Sequence, residues 1–378
     1  MKIIYLANLR LPTERAHGLQ IMKMCESFAE AKNEVELVVP QRFNKIKEDY
    51  FSYYNVKDNF KVTKLPCFDL LPLDRWLGVF ALWLELTTFL LAAKAYLFFR
   101  VYGMIYTREP LVGLFFKNCI LEVHSLPKFN YYFFRLAVKR SKLLIVLTEG
   151  IKQALITQGI SADKIMVSPD AVDLQQFKTE LSQAEAREKL SLPLKSKIIV
   201  YTGHLYPWKG VDVLAEAASL LPADCLVVFV GGVKEDIDEF RTKYASVKSI
   251  LIFGHRPHQE MPIFLKAADA LALPNSGKEE ISRVYTSPMK LFEYMSSGTP
   301  IVASVLPSLR EILDNKNSYL VEPDNAQALV DGIKYLLNNE DIGGKLAAAA
   351  LQKVEQYTWV KRVKNILNFI STADQRFK

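Results

Sequence analysis

The chain has 378 residues, half of them apolar, and 48 Lys and Arg against 41 Asp and Glu for a net charge of +7; this exceeds one typical domain and leaves apolar material for two cores. Residues 1–190 hold 26 of the basic and 20 of the acidic residues, so the surplus sits in the N-terminal half, where it fits an anionic partner such as a membrane surface or a lipid-linked phosphate, or a plain solvated surface. No basic run interleaved with aromatics is present, which excludes the usual nucleic-acid footprint.

In chain order, MKIIYLANL (1–9) is followed by charged residues and no small-residue cleavage site, so it reads as a first strand and not a signal peptide. Further strand-like runs fall near 35–39, 104–107, 119–124 and 143–147, with helical patterns at 18–31, 76–100 and 128–140 between them. The segment Trp76–Val101 is rich in Leu, Phe, Trp and Ala, but Glu85, Lys94 and Arg100 interrupt it, and its longest uncharged run is 76–84. A spanning helix needs roughly 20 apolar residues and loses about 2.5–3.5 kcal/mol for each central charge. The segment is therefore read first as a helix packed on its own sheet, with Trp76, Trp83, Phe98 and Phe99 keeping open the alternative of an interfacial helix that attaches to a membrane.

The stretch 174–196 is polar and helix-prone, with Pro193 near its end, and a domain boundary is expected near 190. Strands resume near 197–202, 225–230, 249–253, 269–273, 300–303 and 317–321, and residues 358–377 read as a last helix packing back on the body, against the N-terminal domain. Two α/β units with parallel sheets follow, over 1–190 and 191–357, with the tail from 358 to 378. Cys25, Cys67, Cys119 and Cys225 lack CxxC spacing and read as reduced core thiols of a cytoplasmic protein.

Two segments carry the chemistry. In GHLYPWKG (203–210), Gly203, His204 and Lys209 lie in the turn between the strand KIIVY and a helix beginning near Gly210, where parallel α/β folds bind anions. In SPMKLFEYMSSGTPIVAS (287–304), Ser287 suits an N-cap and Pro288 the first turn, with Lys290 and Glu293 inside the helix. A lysine beside a helix N-terminus invites a phosphate.

With AHGLQIMKMCESFAE, IYTREP (105–110), LEVHS (121–125), VLTEGIK (146–152) and DAVDLQQF (170–177), these segments make the chain resemble family 4 glycosyltransferases, retaining enzymes of the GT-B fold with two facing Rossmann-like domains and a cleft between them. Two departures stand out: Tyr285 occupies the position where the family often has the first of two glutamates, Glu293 matching the second, and His204 stands where an arginine is common. The resemblance implies transfer of a sugar from a nucleotide diphosphate, UDP- or GDP-linked, to a glycan or lipid-linked acceptor of cell-surface polysaccharide or glycolipid, with the anomeric configuration retained. A cytoplasmic protein is expected, with peripheral attachment to the inner face of the membrane left open.

The leaving diphosphate gains negative charge as the sugar departs, so preorganised cations must meet it. Lys209 is the first choice, followed by Lys290 and the backbone N–H groups at the start of the 288–298 helix, those of Met289 and Leu291 among them. Glu293 would accept from ribose hydroxyls. By resemblance the base would sit near Gly254, His255 and Arg256, and His124, at the end of the strand CILEVH, would face the donor sugar; the alternative for a lone histidine is a structural role. Gly18 would let backbone approach the donor or acceptor, or is an ordinary helix-start glycine. Arg283 could meet the phosphate or sugar, or be solvated. Arg108, Glu109, Glu149 and Asp170 follow strands and are as fitting as loop or capping residues.

Asp236 and Asp238 in KEDIDEF imitate a metal-binding acidic triplet but open a helix, so no metal or other cofactor is expected. Neither a GxGxxG fingerprint, a GxSxG elbow nor a P-loop is present. No carboxylate is an obvious nucleophile for double displacement, so the family's same-face substitution is favoured. The alternatives are a nucleotide-sugar epimerase of the same fold and a non-catalytic scaffold.

Overall fold

The computed structural model describes residues 1–71, 74–116, 118–127 and 131–376. The expectations over 128–130 and 377 lie outside them. The chain divides into two compact units, Met1–Pro169 with Trp359–Lys378, and Asp170–Thr358. The change of unit therefore comes about twenty residues before 190. The stretch after Pro169 is tied into the second unit: Gln176 Nε2 donates to His258 Nδ1 at 2.8 Å, and the buried Arg187 pairs with Asp269 at 2.7 Å.

Among the described residues, the first unit has seven parallel strands: β1 Lys2–Leu6, β2 Glu34–Pro40, β3 Lys61–Leu65, β4 Met104–Thr107, β5 Ile120–Val123, β6 Leu143–Val146 and β7 Ile165–Val167. Their order is β3-β2-β1-β4-β5-β6-β7, with Ile3 of β1 opposite both Val35 and Met104. The runs IIYL, LVV and LLIV are buried on both faces, as a sheet covered by helices on both sides requires. The two edge strands, β3 KVTKL and β7 IMV, were not among the expected strand-like runs; only Leu65 in the first and Ile165 in the second are buried.

The expected helix over 76–100 is two, Asp74–Leu77 and Val79–Phe98, with the break at Gly78. The second packs Phe89, Ala93 and Leu97 against Ile4, Val38 and Ile105. Its Glu85 is fully buried and paired with Arg42 Nη2 at 2.5 Å, with Asn8 Nδ2 donating to it at 3.1 Å. By length and composition this helix is long and apolar enough to cross a membrane.

The second unit has six parallel strands among the described residues: β8 Lys197–Thr202, β9 Cys225–Val230, β10 Ile250–Gly254, β11 Ala270–Leu273, β12 Ile301–Ser304 and β13 Tyr319–Val321, in the order β10-β9-β8-β11-β12-β13. In each sheet the direction of winding reverses beside the first strand, and the loops at the strands' C-terminal ends there form the crevice where such sheets bind ligands. Trp359–Arg376 is a helix packed on Ala16–Glu30 of the first unit.

Candidate functional site

The second unit gathers its polar groups at the C-terminal ends of β8 and β10 and the start of the helix Met289–Ser296. After β8 the chain turns at Gly203, whose φ of +121° favours glycine. A Cβ on Gly203 would lie 3.8 Å from Lys209 Nζ and 3.9 Å from Lys290 Nζ, so two ammonium groups from different elements converge on this turn. Lys209 ends the 3-10 turn Pro207–Lys209, its Nζ 5.2 Å from the centre of the Trp208 ring, and burial lowers its pKa to about 8. Lys290 is buried, its Nζ 3.6 Å from the centre of the Tyr201 ring and without a hydrogen-bond partner among the described residues. Burial first, then the Lys209 charge, holds its pKa well below the ordinary lysine value, with Glu293 opposing the shift.

Ser287 is not the N-cap. That position belongs to Pro288, which is extended and offers no side-chain cap, while Ser287 Oγ accepts from the Asp170 N–H at 3.2 Å. Pro288 cannot cap because it has no side-chain acceptor, so no side chain occupies the first N–H groups of the helix. Leu291, expected to offer its backbone, lies in the core and its N–H donates to the Pro288 carbonyl at 2.9 Å, so the N–H groups left for a ligand are those of Met289 and Lys290. Glu293, one turn on, accepts from His258 Nε2 at 2.8 Å, and His258 Nδ1 accepts from Gln176 Nε2. That chain of bonds puts the imidazole proton on Nε2 and fixes the Glu293 carboxylate. His204 stacks on Tyr206 with ring centres 5.0 Å apart.

Other expected donor residues stand apart. Arg256 is exposed beside the Phe253 ring and 3.9 Å from Glu260, and Arg283 donates to the Gly277 carbonyl at 3.0 Å from the exposed side of the turn Ile281–Tyr285, in which Tyr285 is buried. Asp236 lies in the first turn of Lys234–Lys243, and Asp238 pairs with Lys234 at 2.5 Å.

In the first unit, His124 follows β5 and belongs to a buried network centred on Glu122. Glu122 Oε1 lies 2.7 Å from His124 Nε2 and accepts from Gln20 Nε2 at 2.8 Å and from Arg362 Nη2, on the C-terminal helix, at 3.0 Å. Tyr106 donates to its other oxygen. Burial alone would raise the pKa of Glu122, but Arg362, the His124 hydrogen bond and Arg108 hold it well below the usual carboxylate range. For His124, burial and the Arg108 charge outweigh Glu122 and lower its pKa to about 4, so the ring is neutral at pH 7 with its proton toward Glu122.

Arg108 donates to Gln20 at 2.7 Å. Burial, together with the Glu85 charge, raises the Glu109 pKa to about 7. Glu149 lies in the first turn of Glu149–Thr157 and accepts from Gln153 at 2.6 Å. Gly18 sits in the first turn of its helix, where a Cβ would collide with Tyr54 Oη, so packing alone requires glycine there. Sequence reasoning missed Glu122, Arg362, Gln176 and His258. The first two carried a signal, a lone carboxylate inside the apolar run ILEV and an arginine on the buried face of the last helix.

Two Rossmann-like units with these sheet orders define the GT-B fold. Anabaena Alr3699/HepE, solved in complex with UDP-glucose, superposes with a TM-score of 0.75 at 17% identity, over 98% of this chain and 100% of that one. Residues 182–356 match the model of the glycosyl transferases group 1 family. A D-inositol 3-phosphate glycosyltransferase of Xylanimonas cellulosilytica is 28% identical over 63% of this chain and 59% of its own length. A phosphatidyl-myo-inositol mannosyltransferase of Mycobacterium leprae is 28% identical over 54% of each chain. The chain thus spans a little over half the length of the curated relatives it matches.

Proposed function

We propose that the protein is a retaining glycosyltransferase that moves a sugar from a UDP- or GDP-linked donor to a glycan or lipid-linked acceptor without a metal ion. The observation that carries the reading is the buried Lys290 ammonium, without a hydrogen-bond partner among the described residues and converging with Lys209 on one turn. Burying a cation unpaired costs free energy, and a diphosphate would supply the missing partner. The group 1 match over this unit and the inositol-phosphate substrates in the relatives' names support a nucleotide sugar as donor and a phosphate-bearing acceptor.

In this reading the diphosphate lies against Lys209, Lys290 and the N–H groups of Met289 and Lys290, and Glu293, steadied by His258, accepts from the ribose. The bond from the anomeric carbon to phosphate oxygen breaks with its electron pair going to the diphosphate. The two lysines stabilise that growing charge. The acceptor hydroxyl adds on the same face and its proton passes to the departing phosphate oxygen, so no protein nucleophile is needed. Neutral His124, its Nε2–H toward Glu122, keeps Nδ1 as its acceptor side.

The test is the thermal stability of the protein with UDP, GDP and ADP in excess chelator. A diphosphate at about 100 times its dissociation constant adds roughly 2.7 kcal/mol to the native state, so one of UDP or GDP raises the midpoint. No shift with any of the three would refute the proposal. A modified nucleotide sugar formed without acceptor would replace it with an epimerase.

A further inference from the structure

We propose that the first unit docks on an anionic lipid surface through the outer face of the helix Val79–Phe98, which lies in the plane of the interface. This does not depend on the transfer chemistry, which leaves the segment 76–101 without a role.

The helix is divided lengthwise. One side packs on the sheet and buries Glu85 against Arg42 and Asn8. The other side carries Phe80, Thr87, Leu91, Lys94 and Phe98, all exposed. Their spacings of seven, four, three and four residues place them on one line along a helix. From Phe80 to Phe98 that line runs about 27 Å, and exposed aromatics flank it in sequence, Trp76 at 87% and Phe99 at 90% of their full exposure. Trp83, with its ring centre 6.5 Å from that of Phe133, ties this side to the helix Tyr131–Arg140, where Tyr132 is also exposed. So many large apolar side chains exposed on one helix, Phe80 at 62%, Leu91 at 54% and Phe98 at 75% among them, mark an interaction site.

Charge selects the occupant. Lys94 lies on the apolar line itself, and Arg135, Lys139 and Arg140 are exposed on the neighbouring helix. The unit as a whole holds 28 Lys and Arg against 16 Asp and Glu, an excess of 12, whereas the second unit holds 20 against 25. Aromatic and aliphatic side chains among cations are the composition of helices that lie in anionic interfaces. Crossing the bilayer would strip Glu85 from its partners, so the helix lies on the surface.

The test is co-sedimentation of the full chain with vesicles of equimolar phosphatidylglycerol and phosphatidylcholine, and with phosphatidylcholine alone. Sedimentation with the anionic vesicles that weakens with added salt, and binding about tenfold weaker to the neutral ones, is expected. The double variant Phe98→Glu, Phe99→Glu keeps the thermal midpoint, because both side chains are exposed, and loses about tenfold or more in partitioning. Wild-type protein remaining in solution, equal binding to both vesicles, or unchanged binding by the variant would overturn the proposal. So would a lipid-free dimer that the variant abolishes, which would make this face a protein interface.

Discussion

Replacing Lys290 by Met separates stability from function. The ammonium is buried against the Tyr201 ring with no hydrogen bond among the described residues. An unpaired buried polar group costs about 1–3 kcal/mol in proteins, and contact with the ring returns about 1–2 kcal/mol of that. Methionine fills similar volume without the charge and also relieves the repulsion from Lys209 that contributes to the lowered pKa of Lys290. The variant should be more stable than wild type by about 1 kcal/mol, a rise of roughly 2–4 °C in the midpoint of a unit this size. Nucleotide affinity moves the other way. A hydrogen bond to a charged group is worth about 1.5–3 kcal/mol, so the dissociation constant for UDP or GDP should rise roughly 10- to 150-fold in calorimetric titration. A variant that is less stable than wild type and binds the nucleotide equally well would refute the reasoning, since Lys290 would then be a structural cation.

The Lys209 ammonium, lowered to about 8 against an ordinary 10.5, gives a pH dependence of definite sign. Between those values the unfolded chain holds a proton that the empty folded protein lacks, so the empty protein gains stability as pH rises through the window. The diphosphate complex restores that proton, so nucleotide affinity should fall over the same rise, and titrations at pH 7 and pH 9.5 read both signs. His258→Ala removes the donor that holds Glu293 and should raise KM for the nucleotide sugar about 5- to 30-fold with a smaller change in kcat; an unchanged KM would detach Glu293 from the ribose. Arg362→Met leaves Glu122 buried without its strongest cation and should cost about 3–5 kcal/mol of the first unit's stability in urea unfolding. A loss below about 1 kcal/mol would show that His124, Gln20 and Tyr106 suffice.

The sheets were legible where strands are apolar throughout, as in KIIVY and LLIV, because burial on both faces leaves no room for polar residues. β3 was not, since KVTKL lies at an edge and buries one side chain. The lysine pair was legible because Lys209 lies in the turn that follows β8 and Lys290 stands just inside the helix that Pro288 opens, and local sequence marks both places. The Ser287 cap failed because serine there bonds to the Asp170 N–H, 117 residues away in sequence. His258 and Glu293 meet across 35 residues, Arg362 and Glu122 across 240, and no local pattern encodes such pairs. The boundary was placed at the polar stretch near 190, but Gln176 and Arg187 bind it to the second unit.

The most direct test of the central claim is nuclear magnetic resonance of the reaction with UDP- and GDP-sugars and a phosphorylated polyol or polyprenyl acceptor, in excess chelator. The account predicts nucleoside diphosphate released in step with a glycoside that keeps the donor's anomeric configuration. An inverted product, or transfer that begins only when a divalent cation is added back, would contradict it.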